Sequence, residues 1–450
     1  MRPVFGPADR VAYIGLSFLR FAAILAFGFW WFGQANLWRE DPVGWAILSL
    51  LIALPMAGNL IRWAALPSMK RPAEAAPFPR LRVAAVTTCV PGAEPRQMVE
   101  LTLAGLVRFE YPHDTWLLDE GDDPLLREAC ARLGVRYFTR KGDPRYQTPS
   151  GPFAAGWKHG NYNSWLDSVG YDSYDILIQV DSDHVPSADF SHVLGYFADP
   201  AIAYIQSPQF YRNQAESLVA RGAAEETYAY YSSIQMAAFG AGRAVLTGCH
   251  NAQRIQALKE VGGLPDHAAE DLLLTIRYHA HGWRGVYLPR IFFEGLAPAT
   301  WSGYLRQQMR WARSLADVKI RHRGEFGRAT PLARIMSLLQ GFGYFQDAAV
   351  FVLAMVAIGL MLATGAGLRS VRTLDWRFAA LVFVIFASDL FRQRFYLKPR
   401  TERGLHWRAG LVRCVKSPYT LLALWQALRG KTRAYEVTSK MATSPTRSST

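Results

Sequence analysis

The sequence predicts an α/β domain enclosed between two pairs of membrane-crossing helices. Three observations carry this expectation. Apolar residues concentrate at the two ends of the 450-residue chain. Between them, residues 80–330 alternate short apolar runs with helical patterns, as a mostly parallel sheet requires. Two of those runs stop on acids, at Asp119-Glu120-Gly121 and at Asp181-Ser182-Asp183-His184. In open α/β sheets ligands gather outside the carboxyl ends of strands.

Residues 1–66 read as an N-terminal membrane region with two spans. Residues 21–38 are apolar apart from Gln34 and Asn36, and a second run extends from 43 to about 60. Each is close to the ~20 residues that a spanning helix needs. Pro55 kinks the second run, which membrane helices tolerate. Arg2, Arg10 and Arg20 precede the first span, and Arg62, Lys70 and Arg71 follow the second. The loop between holds only Arg39, balanced by Glu40 and Asp41. The positive-inside rule therefore places both outer flanks in the cytoplasm. A second apolar run, not a cleavage site, follows the first, which argues against a signal peptide.

Residues 67–79 form a Pro/Ala-rich linker, and residues 80–330 the soluble block. Its pattern predicts a strand over 82–90, a helix over 98–107 and a strand over 115–118 that ends on Asp119. A helix over 125–133, a strand over 135–138 and a buried strand over 176–180 follow. Residues 272–281 and 301–315 read as helices. At roughly 250 residues the block is large enough to bury a core of its own, and no internal repeat is evident.

Residues 331–430 return to apolar character. Residues 331–345 predict an interfacial amphipathic helix, 348–365 a third span and 376–390 a shorter fourth. Arg392, Arg394, Lys398, Arg400 and Arg403 mark a return to the cytoplasm. Residues 419–428 are too short to span; they are either interfacial or join 411–415 in a broken helix. Residues 431–450 form a cytosolic tail, Ser/Thr-rich beyond Ala442 and expected to be disordered.

The formal net charge is +14. Much of the basic excess flanks apolar segments or lies between Arg392 and Lys440. No nucleic-acid motif accompanies it, so membrane lipids rather than nucleic acid are the expected partner. Cys89, Cys130, Cys249 and Cys414 show neither metal-ligand nor disulfide spacing. They read as reduced thiols of a cytosolic domain.

The acids at the strand ends have chemistry to offer. Asp181 and Asp183 can hold a hard divalent cation shared with substrate phosphates, although Asp-x-Asp also occurs in ordinary loops. Asp119 alone reads as a turn residue before Gly121. Glu270 and Asp271 precede a helical run, where they either cap the helix or supply a general base. Gln307, Arg310 and Trp311 are three and four apart and share a helix face. The planar fork of Arg310 suits a diphosphate, and Trp311 offers a flat surface for a sugar ring. A basic amphipathic helix at the membrane surface accounts for the same segment, with Arg306 and Arg313. Lys158, in Lys158-His159-Gly160-Asn161-Tyr162-Asn163, either meets phosphate oxygens beside a Gly-containing turn or begins a helix.

In order, these motifs resemble the membrane-embedded inverting glycosyltransferases of family 2, which include bacterial cellulose synthase, chitin synthase and hyaluronan synthase. The ordered set also contains Gly295-Leu296-Ala297-Pro298. The resemblance implies a cytosolic GT-A domain, with Asp119 on the nucleotide base, Lys158 on the diphosphate and Asp181 on the nucleotide sugar. Asp183, with Asp181 and His184 as further candidates, would hold Mg²⁺ or Mn²⁺. Asp271 would be the catalytic base. Gln307, Arg310 and Trp311 would bind the donor, and Glu270, Trp311 and Cys249 would face the acceptor.

The implied function is an inner-membrane processive synthase of a β-linked polysaccharide, using a UDP-sugar. A glycolipid synthase adding one or a few sugars to a membrane lipid is the alternative, and an inactive nucleotide-sugar-binding scaffold a second one. Three departures stand out. Glu120 replaces the second acid of Asp-Asp-Gly, and Ala269 the Thr of Thr-Glu-Asp. The expected first motif is not visible over 86–95, leaving Thr88 and Glu94 as candidates for base recognition. No cyclic-di-GMP-sensing domain is expected after the last span.

Overall fold

The computed structural model describes all residues except 76–79, 91–93, 249, 323, 326–339, 365–368 and 431–450. Strand β1 (Arg2–Pro3) is followed by helix α1 (Pro7–Phe32), helix α2 (Pro42–Ala65) and strand β2 (Lys70–Arg71). β2 pairs antiparallel with β1, Arg2 opposite Arg71. The predicted linker therefore begins as ordered structure that stitches the N-terminus to the soluble block. α1 starts at Pro7, fourteen positions before the expected span, because Pro occupies its first turn with Asp9 beside it and Gly33 closes its end. α2 starts at Pro42, where Asp41 accepts from the Gly44 N–H at 3.0 Å. Pro55 sits inside this helix without ending it.

The soluble block continues with β3 (Val83–Cys89), α3 (Arg96–Leu106), β4 (Asp114–Asp119), α4 (Pro124–Leu133) and β5 (Arg136–Phe138). Asp123 caps α4 at the Leu125 N–H, and Gly134 ends it in the left-handed region at φ 69°. α5 (Lys158–Trp165) leads to β6 (Ile176–Gln179), β7 (Val185–Pro186), β8 (Ile202–Gln206) and β9 (Gln209–Tyr211). After α6 (Leu218–Ala229) come β10 (Asn251–Arg254), α7 (Glu270–Ala280), β11 (Arg284–Tyr287), β12 (Phe293–Gly295) and α8 (Trp301–Arg321).

Among the described residues the main sheet has seven strands in the order β11-β8-β10-β6-β3-β4-β5. It is mostly parallel, as the sequence predicts, with one reversed strand: β3, β4, β5 and β6 run parallel, β8 pairs parallel with β11, and β10 is antiparallel to both β6 and β8. Val83, Val86, Leu117, Leu118, Ile176 and Leu177 are almost wholly buried at its centre, which is why these strands read as continuous apolar runs. A small sheet, β7-β12-β9, lies beside it.

The C-terminal part holds α9 (Phe342–Thr364), α10 (Trp376–Arg392) and α11 (Trp407–Leu428). α9 absorbs the end of the expected interfacial helix; 331–339 lie outside the described residues, as does the tail. Among the described residues three helices are long and apolar enough to cross a membrane: Pro7–Phe32, Pro42–Ser68 and Phe342–Thr364. α10, at 17 residues, is shorter. The segment expected to be broken is one continuous helix, α11, with Pro418 inside. α11 packs along α8 and α6, and α9 against α2 and α11, while α10 packs against α1. Arg20 of α1 is fully buried with its guanidinium 4.8 Å over the Trp63 ring, and its nitrogens have no hydrogen-bond partner among the described residues.

The junction between the apolar helices and the soluble block is tight at Gly240, in the short Gln235–Gly240 helix. A Cβ there would fall 1.6 Å from the Ser68 carbonyl oxygen. Gly240→Ala is expected to destabilise the folded chain by about 1–3 kcal/mol, the usual cost of overpacking. A lowered thermal unfolding midpoint in detergent checks this.

Candidate active site

The carboxyl ends of β4 and β6 open onto one cavity of about 1490 Å³. β6 is short because its chain breaks away at Val180 into the acidic loop. Asp183 is buried, and its Oδ1 lies 3.0 Å from His184 Nδ1. His184 Nε2 in turn lies 3.2 Å from His250 Nε2. Both ring nitrogens of His184 are thus engaged, and the ring braces Asp183. Burial, with His184 next, pushes His250 well below the ordinary histidine range, so it is neutral. A Cβ on Gly295 would fall 2.2 Å from His184 Nε2, so only glycine lets β12 pass this close.

Asp181 accepts from Lys158 Nζ at 2.7 Å, and the same ammonium lies 3.9 Å from Glu270. Lys158 is the first residue of α5, not part of a turn. Asn161 donates to the Leu118 carbonyl and Tyr162 to the Val86 carbonyl, which locks α5 across the strand ends. Gly160 permits this seat, since a Cβ there would meet the Ala154 carbonyl oxygen at 2.1 Å.

Asp271 sits in the first turn of α7. Its Oδ2 accepts from the Gly248 N–H at 2.6 Å and its Oδ1 from the Leu272 N–H at 2.7 Å. The loop before it is held by His267, which accepts from the Ala269 N–H at 2.9 Å and lies 3.1 Å from Asp317 of α8. Burial raises Asp271 above the ordinary carboxylate range, against the two backbone donors. Burial also pushes Glu270 up to about 7, with Lys158 opposing and Asp271 adding to it. Gln307, Arg310 and Trp311 of α8 line the same cavity, Trp311 remaining 37% exposed.

Most of the sequence-derived candidates therefore meet: Lys158, Asp181, Asp183, Glu270, Asp271, Gln307, Arg310 and Trp311 all line one cavity, as do Thr88 and Glu94. Asp119 does not. It is fully buried, and its oxygens accept from the Gly121 and Asp123 N–H groups and from the Tyr137 hydroxyl. It shapes the turn, and the neighbour that faces the cavity is Glu120, gripped by the buried Arg140 at 2.7 and 2.8 Å. Cys249 lies outside the described residues. Sequence reading missed Arg140 and His250; the only hints were one charge in the Arg140-Lys141 pair and a histidine two residues after Gly248. Asp181, Asp183 and His184 offer atoms within 4.8 Å of one another. Carboxylate oxygens of this kind suit Mg²⁺ or Mn²⁺.

Residues 176–391 match the family model for glycosyl transferase family group 2. The chain carries a family 2 glycosyltransferase domain. The chain is 27% identical over 262 residues to the UDP-forming cellulose synthase catalytic subunit of Xanthomonas axonopodis pv. citri, covering 56% of this chain and 34% of that protein. It is 23% identical over 267 residues to glucomannan 4-beta-mannosyltransferase 1 of Cyamopsis tetragonoloba, covering 57% of this chain and 50% of that one. The chain thus spans half or less of the length of these relatives. The mannosyltransferase PcManGT from Pyrobaculum calidifontis, in complex with GDP-Man and Mn²⁺, shares the fold. Its TM-score is 0.55 over 87% of this chain and 100% of that one, at 18% identity.

In this glycosyltransferase domain the empty space lies between two charged walls, one of Lys158, Asp181 and Asp183, the other of Glu270 and Asp271. Gly295→Ala is expected to displace His184 and, through it, Asp183. Loss of such a brace costs about 10- to 100-fold in metal affinity, measurable by Mn²⁺ titration in the presence of UDP. Glu270 gives a second test. Its folded value lies above its ordinary 4.5, so the folded state holds the proton more tightly. Its contribution is fully present below 4.5 and is lost as pH rises towards 7. Glu270→Gln is expected to flatten that part of the stability–pH curve, read as unfolding midpoints in detergent.

Proposed function

We propose that this chain is a multi-pass inner-membrane inverting glycosyltransferase with a cytoplasmic catalytic domain. It transfers a hexose from a UDP-sugar to an acceptor hydroxyl. The supporting observation is that Asp271 and the Lys158–Asp181–Asp183 group line one cavity, with Arg310 and Trp311 on α8. In this reading residues 80–330 form the GT-A domain, 1–66 and 331–430 the membrane regions, 67–79 the linker and 431–450 the tail.

Asp271 takes the proton of the acceptor hydroxyl. The acceptor oxygen bonds to the anomeric carbon from the face opposite the diphosphate. The bond from that carbon to the diphosphate oxygen breaks, the diphosphate keeps the electron pair, and the configuration inverts. The Gly248 and Leu272 N–H groups each hold one Asp271 oxygen, so the carboxylate is fixed in orientation and takes the acceptor proton on a remaining lone pair. Lys158 and Arg310 carry positive charge to the leaving diphosphate. Asp183 and Asp181, braced by His184, would hold Mg²⁺ or Mn²⁺, which neutralises diphosphate charge when bound. Trp311 and Glu270 face the acceptor. Asp119 acts through the turn it shapes, leaving Glu120, Thr88 and Glu94 to border the base.

The β-glycan synthases among the relatives favour a β-linked polysaccharide as product. Transfer of one or a few sugars to a membrane lipid is the second reading, favoured by the continuation of the cavity among the ends of the apolar helices.

Asp271→Asn is expected to keep UDP binding and to lose about 10²- to 10⁴-fold in transfer rate, measured with labelled UDP-sugars in detergent. Near-normal turnover in that variant would exclude Asp271 as the base. Excess chelator is expected to abolish transfer and added Mn²⁺ or Mg²⁺ to restore it; undiminished activity in chelator would remove the cation from the reaction.

A further inference from the structure

The cavity that holds Asp271 does not end at the transfer site. It runs on between the ends of α2, α9, α10 and α11. Three arginines on three helices line this arm: Arg62, Arg392 and Arg413. Among the described residues Arg62 makes no hydrogen bond or ion pair. Arg392 keeps Nε buried without a partner, and its nearest carboxylate, Asp389, is 3.7 Å away. Arg413 lies 3.8 Å from Glu226 and 3.7 Å from Asp347, beyond hydrogen-bond reach. Glu226 is already taken by Lys416 at 2.7 Å. The charges of Arg392 and Arg413 both repel Arg62, and Asp389 and Asp347 offset this only in part. Cations gathered round one hollow are costly unless an anion joins them.

The position of the arm says where that anion comes from. Arg62 is near the C-terminal end of α2, Arg392 is the last residue of α10, and Gln346 is in the first turns of α9. The arm therefore lies at the level where lipid headgroups meet helix ends. Basic pockets between membrane helices at that depth take anionic headgroups. Ile61 and Phe386, both exposed, border the arm as an apolar lip. α9 packs on α2 and α11, and α10 on α1, but α9 and α10 form no comparable contact among the described residues. That leaves a lateral way in. The buried Gln346 Oε1, without a partner, also borders the arm and can accept a hydrogen bond from a headgroup hydroxyl.

We infer that this arm binds the phosphate of an anionic phospholipid whose headgroup hydroxyl is the sugar acceptor. The chemistry rests on the transfer reading above: the hydroxyl proton goes to Asp271, its oxygen bonds to the anomeric carbon, and UDP leaves with the bonding pair. The lipid phosphate is bound and unchanged.

The test uses the full chain in nanodiscs of phosphatidylcholine, with or without phosphatidylglycerol. Native mass spectrometry is expected to show retained phosphatidylglycerol, and labelled hexose from the donor is expected in the organic phase on that lipid. Arg62→Gln and Arg392→Gln are each expected to weaken retention about fivefold. Arg62→Lys is expected to keep most of it, and UDP binding is expected to stay at the wild-type level in all three. Retention equal to wild type in both Gln variants, or no preference for phosphatidylglycerol over phosphatidylcholine, overturns the inference. Soluble glycerol phosphate competing as well as the lipid assigns the arm to a soluble phosphate and overturns the lipid assignment. A wild-type protein that retains phosphatidylglycerol but neither binds nor consumes any UDP-sugar separates failure of the transfer reading from failure of the lipid site. Preferential retention without labelled lipid, in a protein that does consume the donor, overturns the acceptor assignment.

Discussion

One ammonium group holds the two walls of the site in register. Lys158 Nζ lies 2.7 Å from Asp181 and 3.9 Å from Glu270. Without it, four carboxylates would face each other across one hollow, and each would drive the others apart or into their protonated forms. The position of Lys158 is itself set by the rest of the fold. α5 can begin where it does because Gly160 clears the Ala154 carbonyl and because Asn161 and Tyr162 donate to backbone oxygens of the strand layer. In the proposed reaction the same ammonium is the group best placed to exchange a protein carboxylate for a substrate oxygen.

The antiparallel strand β10 does the other half of the positioning. Parallel strands send only their carboxyl ends to the rim. A reversed strand sends its amino end there, and so brings Gly248 and His250 beside the acids of β6. The Gly248 N–H reaches Asp271, while His250 reaches His184 and through it Asp183. The proposed base and the proposed cation ligand are thus both braced from one short segment. Binding on one side and proton transfer on the other are mechanically tied.

The sequence made some of this readable and hid the rest for physical reasons. The run from Ile176 ends on Asp181 and Asp183 because a buried strand has to stop where polar chemistry begins, and that change shows in a single line of residues. The shared face of Gln307, Arg310 and Trp311 is likewise local, fixed by helical spacing. β10 was not readable. Asn251 and Gln253 look unlike a central strand, yet the Gln253 amide donates to Gln179 and Asn251 while Tyr278 donates back to Gln253. That polar ladder exists only once three distant segments meet. Asp119 reads locally as a turn residue, which it is, and only the resemblance placed it on the nucleotide base; its captor Tyr137 comes from the next strand and is invisible to a local reading. The early start of α1 was hidden by Arg10 and Arg20, whose charges interrupt an apolar window that the structure closes by burying Arg20.

That buried arginine has a bearing on how the chain is made. In a bilayer a lone guanidinium inside a helix is costly unless something inside the protein faces it. What faces Arg20 is Trp63 at the end of α2, and the field of Asp389 from α10. α1 and α2 leave the ribosome together, but Asp389 follows only after the whole soluble block has been synthesised. On the proposed membrane topology, the first hairpin would wait in the bilayer with an incompletely answered charge while the soluble block folds outside it. Assembly is complete only when the last helices arrive, so the order of synthesis links membrane insertion to the folding of the enzyme.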